Sequence, residues 1–166
     1  MKHKKYFDTR LPITNDSKKL AEYLMEQSDR EHLRVFYMDE RHYLLAEEVY
    51  DIFKIDETAI YTRKLMEQGL RVGASSMIVS HNYPEREAPT EGDVSIVRKL
   101  VIACPSVEID LVDYKTVTEY GCFSFKKQGL IQEGYTIIWK DEVVWKDDKE
   151  YKNAIREDNY KVEKLH

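Results

Sequence analysis

In this 166-residue chain, His81 and Asp93 stand out as an imidazole and a carboxylate placed twelve residues apart at the two ends of one loop. Ser80-His81-Asn82-Tyr83-Pro84 closes a short apolar segment, and Pro89-Thr90-Glu91-Gly92-Asp93 opens the next helical pattern. Strand ends and helix starts are rigid supports, so an imidazole and a carboxylate placed there can converge with fixed geometry. Both groups are common zinc ligands. Asp93 also has a plainer use, because a carboxylate in a first helical turn stabilises the helix dipole by ~0.3–1 kcal/mol without any metal. Tyr83 reads as a packed or surface aromatic rather than a ligand, since a phenol with a pKa of ~10 is neutral at physiological pH. His42, beside Arg41 in a polar turn, is expected to face solvent, and His3, His32 and His166 show no ligand spacing.

The elements that must position these groups can be read from periodicity and punctuation. Asn15-Asp16-Ser17 is an N-cap signal before Leu20, Tyr23, Leu24 and Gln27 at helical spacing. Leu33, Val35 and Tyr37 alternate with Arg34, Phe36 and Met38, a strand apolar on both faces. Residues 39–42 form a turn and residues 43–53 a second strand, together an antiparallel hairpin. Asp56-Glu57-Thr58 opens a helix that Gly69 and Gly73 are expected to close. Residues 74–80 are apolar without a break, the mark of a strand covered on both faces. After the loop 81–92, Val94, Val97, Leu100, Val101 and Cys104 share a helix face, with Pro105 as the expected stop. Residues 107–117 read as a strand and 121–129 as a turn and short helix. Residues 135–139 and 143–145 read as a last hairpin. The order implies a mixed sheet with helices packed on it, an α/β domain. Neither GxGxxG nor GxxxxGK[ST] occurs, so a doubly wound nucleotide fold is not expected.

Composition narrows the functional classes. Hydrophobic residues make up 42%, enough for one core, and the twelve Tyr, five Phe and two Trp argue against disorder. A net charge of −5 argues against binding through general phosphate contact, so nucleic acid is not an expected partner. With mean hydropathy −0.62 and no apolar run near the ~18 residues of a membrane span, no membrane is expected either. Cys104 and Cys122 lack CxxC spacing and read as small hydrophobes in a reducing compartment. The opening MKHKKYFDTR has basic residues but no apolar stretch behind them, which points to the cytoplasm.

The run HNYPEREAPTEGD resembles the RadC-like branch of the JAB/MPN (JAMM) metalloprotease domains, whose pattern is HNHPSG followed by PS and a final Asp. The likeness extends to Glu31-His32-Leu33-Arg34-Val35-Phe36-Tyr37-Met38-Asp39, similar to the family's first strand. It also reaches Asp56-Glu57-Thr58-Ala59-Ile60-Tyr61-Thr62-Arg63 at the entry to its second helix. Leu111-Val112-Asp113-Tyr114 and Ser124-Phe125-Lys126-Lys127-Gln128-Gly129-Leu130 match its C-terminal landmarks. The resemblance implies a JAB/MPN-type mixed β-sheet flanked by helices, cytidine-deaminase-like, over residues 30–131. Residues 1–29 would be a helical lead-in. Residues 132–166, with Trp139, Trp145, Tyr135, Tyr151 and Tyr160, would be an extension covering a sheet edge or a partner-binding surface.

By the same resemblance, Glu31 falls at the general base, His81 at the first zinc histidine and Asp93 at the zinc aspartate. Thr90 falls where a serine hydroxyl stabilises the oxyanion. On its residue type alone Glu31 reads as a solvated strand-edge carboxylate. In the family's chemistry zinc lowers the pKa of a bound water toward ~7, the glutamate takes its proton, and an amide or isopeptide carbonyl is attacked. The chain departs from the pattern at Tyr83, which stands at the missing third-ligand position. Glu85-Arg86 replaces Ser-Gly, and the loop before Thr90 is one residue shorter. Catalytic zinc sites ordinarily keep three protein ligands, so zinc is a doubtful cofactor here. The leading expectation is a degenerate metallopeptidase site that binds a protein or peptide through the family's substrate groove. An active zinc-dependent peptidase or isopeptidase using His81, Asp93 and Glu31 is the alternative. A DNA-repair-associated accessory role ranks last, because the helix-hairpin-helix region of full-length RadC proteins is expected to have no counterpart here. The oligomeric state is left open.

Overall fold

The computed structural model describes residues 11–51, 58–83, 89–131, 138–139 and 142–143. Ser17 caps the first helix, α1 (Lys18–Glu26), its side chain accepting from the Leu20 amide. The hairpin follows as β1 (His32–Met38) and β2 (Leu44–Asp51), then α2 (Thr58–Arg71), β3 (Ser76–Asn82) and α3 (Glu91–Ser106). The sheet is completed by β4 (Asp110–Thr118) and β5 (Gly121–Ser124), and a separate two-stranded ribbon by β6 (Ile138–Trp139) and β7 (Glu142–Val143). Strand order is β2-β1-β3-β4-β5, antiparallel except for the parallel β3–β4 pair. This is the expected mixed α/β architecture, a five-stranded sheet flanked by helices.

Both faces of the sheet are covered, and the strand alternation assigns residues to each. Leu33, Val35, Tyr37, Met77, Val79 and Tyr114 pack with Leu65 of α2 and Val94, Val97, Leu100, Val101 and Cys104 of α3. Phe36, Met38, Ile78 and Val117 point the other way, onto Leu20, Tyr23 and Leu24 of α1. All seven residues of β1 and of β3 are therefore buried. On the α1 face Arg34 meets Glu47 at 2.5 Å, and the Tyr23 hydroxyl also donates to Glu47. This part-buried charge pair is concealed in the sequence by an alternation that looks apolar on both faces.

Several boundaries differ from the sequence expectation. Gly69 lies inside α2 rather than ending it, where a Cβ would stand 2.9 Å from the Ile109 side chain. Gly73, at φ +73°, is the residue that terminates the turn. Pro105 sits within the last turn of α3, not beyond it. The fourth strand starts only at Asp110, after Glu108 adopts a left-handed φ of 61°. In place of a short helix after Gly121, β5 pairs with β4, and turns follow. β2 spans Leu44–Asp51, and the expected end of that strand at Phe53 falls outside the described residues. His42 is half-buried rather than exposed, with φ 69°, and its carbonyl accepts from the Ile13 amide. Of the expected last hairpin, Ile138 pairs with Val143 and Trp139 with Glu142. Tyr135, Trp145, Tyr151, Tyr160, Glu85 and Arg86 lie outside the described residues.

Candidate functional site

The register of β1 against β3 assembles the site. Leu33 pairs with His81 and His32 with Asn82, so Glu31, one residue ahead of β1, lies beside Tyr83. Residues two apart on a strand share a face, which puts Glu31, His81 and Tyr83 on the face covered by α3. His81 and Asn82 belong to β3, so the imidazole is held within the strand rather than in the loop after it. The Tyr83 amide continues the pairing by donating to the Val117 carbonyl at 2.8 Å.

Asp93 comes from the first turn of α3 by a capping box. Thr90 is the N-cap, its hydroxyl accepts from the Asp93 amide, and the Asp93 carboxylate accepts from the Thr90 amide at 2.8 Å. The same carboxylate, fully buried, accepts from three further side chains. His81 Nδ1 donates to Oδ1 at 2.5 Å and the Tyr114 hydroxyl to the same oxygen at 2.6 Å. The Tyr83 hydroxyl donates to Oδ2 at 2.7 Å, and the Thr90 hydroxyl lies 3.0 Å from that oxygen. A carboxylate offers roughly four lone-pair directions, so Asp93 is saturated with donors.

His81, 3% exposed, is bridged at its other nitrogen: Nε2 donates to Glu31 Oε2 at 2.8 Å. The Tyr83 ring lies against the imidazole with centroids 4.0 Å apart. Burial alone would lower the imidazole pKa, but the bonds to Asp93 and Glu31 and their two charges outweigh it and raise it to about 9. Burial would raise the Asp93 carboxyl, and the His81, Tyr114 and Tyr83 donors outweigh that and hold it below the usual range. Burial and the nearby Asp93 charge both push the Tyr83 phenol up, so it stays a proton donor. The result is a chain of protons running from half-exposed Glu31 through His81 to Asp93.

Glu31, His81, Tyr83, Thr90 and Asp93, singled out in the sequence, are thus brought into one cluster. Tyr114 is the member that sequence reading misses, since only the parallel β3–β4 pairing carries it there. The neighbouring landmark residue Asp113 has a different use. It is buried and accepts from Asn15, Ser124 and Lys115 side chains and from the Lys126 amide, tying β4 to the turn after β5. Among the described residues no group of three His, Cys, Asp or Glu side chains is arranged to hold a metal ion, and no helix is long and apolar enough to cross a membrane.

Comparison with known proteins agrees with the fold. The family model of the RadC-like JAB domain matches residues 14–130. A UPF0758 protein of Syntrophomonas wolfei is 30% identical over 115 residues, which is 69% of this chain and 49% of that protein. One from Actinobacillus pleuropneumoniae is 30% identical over 105 residues, 63% of this chain and 48% of its own. A third, from Haemophilus influenzae, is 28% identical over 124 residues, 72% and 56%. The chain spans about half the length of these curated relatives. On the match of fold, motif order and sequence, the chain belongs to the RadC-like JAB domain family.

Proposed function

We propose that this RadC-like JAB domain has exchanged a metallopeptidase site for a closed hydrogen-bonded cluster, and that it binds a protein or peptide segment rather than cutting one. The observation that carries this reading is the Tyr83 hydroxyl. Standing where the family pattern has its second zinc histidine, it donates to Asp93 Oδ2 at 2.7 Å. The donor chemistry agrees: His81 Nδ1 and Asp93 Oδ1 share a proton, Tyr83 is a proton donor, and two family ligands remain where catalytic zinc sites keep three. The donor set does not fit zinc.

A binding role rests on the family resemblance, which implies a substrate groove beside this site. Glu31, with 37% of its side chain exposed, is where the cluster meets solvent. The thiols Cys104 and Cys122 suit a reducing compartment such as the cytoplasm. Incubation with peptide and isopeptide-linked substrates in the presence of zinc tests the reading. No cleavage above a protein-free blank is expected, and peptide-display selection is expected to return a consensus that binds without metal.

One observation favours the rival zinc hydrolase: Glu31, His81 and Asp93 converge in the order the family chemistry requires. Zinc-dependent cleavage abolished by Glu31→Gln would establish that rival and overturn the binding role. A DNA-associated role is the weakest, given the net charge of −5. It would show as an affinity for DNA that falls steeply with salt.

A further inference from the structure

We infer that Tyr114 is a second lock on the site: with Tyr83 it pins Asp93 against His81, so restoring the family ligand at position 83 does not by itself restore a zinc site. This rests on the closed-cluster reading and extends it to a residue outside the family motif. Tyr83 holds Oδ2 of Asp93, and Tyr114 holds Oδ1, the oxygen that faces His81. Replacing Tyr83 removes one donor from Oδ2, but that oxygen keeps the amide and hydroxyl of Thr90, fixed by the capping box.

To admit a cation between His81 and Asp93, the carboxylate has to withdraw by roughly 1 Å from its 2.5 Å contact. A shift of that size disturbs the 2.6 Å bond that the Tyr114 hydroxyl donates to Oδ1. Tyr114 is itself fully buried, with its ring edge-on to Phe125 at 5.4 Å, so it cannot follow the carboxylate or turn to water. Tyr114→Phe keeps that packing and removes the hydroxyl. Tyr114 is therefore a positioning residue, acting on metal binding through Asp93.

The test is calorimetric titration with zinc alone on the full chain, with elemental analysis of the dialysed protein. The variants are Tyr83→His, Tyr114→Phe and the pair together, each checked for cooperative melting. The expected result is no stoichiometric zinc in wild type or either single variant, and one zinc per chain, bound at least tenfold more tightly than by Tyr83→His, in the pair. If Tyr83→His alone binds as tightly as the pair, or the folded pair binds none, the role of Tyr114 is overturned while the closed-cluster reading stands. Stoichiometric zinc in wild type overturns both. Should the pair fail to fold, Tyr83→Cys with and without Tyr114→Phe makes the same comparison with a smaller side chain at 83.

Discussion

Replacing Tyr83 by phenylalanine would keep the ring against His81 and delete one proton donor to Asp93. A buried acceptor that loses a donor costs about 1–2 kcal/mol, so urea unfolding of Tyr83→Phe should show that loss. Asp93→Ala is the harsher change. It removes the buried carboxylate that accepts from the His81 imidazolium and from the Tyr83 and Tyr114 hydroxyls, and about 3–5 kcal/mol is expected. An Asp93→Ala protein as stable as wild type would mean the cluster is not formed. At this scale the sequence carried much of the site: His81 and Asp93 stood out by type and position, and Glu31 and Thr90 through the family pattern. It could not show that Tyr83 donates to Asp93, because a tyrosine at a ligand position reads the same whether it packs, ligates or donates. Tyr114 was hidden for another reason, being 21 residues from Asp93 in a strand whose pairing is non-local.

Helix α3 depends on the same residues as the site, and this overlap is testable. Thr90→Ala removes the N-cap hydroxyl and should destabilise the protein by about 1 kcal/mol, whereas Thr90→Ser should stay within a few tenths of wild type. Equal melting temperatures for the two variants would argue that Thr90 has no capping role. Gly73→Ala places a side chain at φ +73° and should cost about 1–2 kcal/mol, read from the same melts. Element types were legible wherever periodicity was long, as in α1, β1, β3 and α3. The boundaries that differ share a cause: glycine and proline signal stops in the sequence, whereas tertiary packing uses them otherwise. Gly69 is small because α2 runs close to Ile109, and Pro105 is tolerated in the final turn of α3. β5 is not legible in the sequence because a four-residue strand has no period of its own, only a partner in β4.

Across the whole molecule, a sheet covered on both faces leaves polar groups in unusual surroundings, and this gives stability a pH dependence. His32, 1% exposed, donates from Nδ1 to the Arg30 carbonyl while Nε2 has no hydrogen-bond partner. Burial, with the Arg34 and Arg30 charges, lowers its pKa to about 4. The unfolded chain takes up this proton near pH ~6.5, so below that value the folded state is penalised. Stability should fall from pH ~6.5 to about 4, by about 3 kcal/mol in all. In His32→Gln this part of the acid limb should vanish, and identical pH profiles for the two proteins would exclude it. Zinc analysis decides whether hydrogen bonds rather than a metal hold His81 and Asp93 together. The protein should be untagged, purified without chelator from zinc-supplemented cells, and compared with His81→Ala. Far less than one zinc per chain is expected, in a protein that melts cooperatively. About one zinc per wild-type chain, lost in His81→Ala, would contradict it.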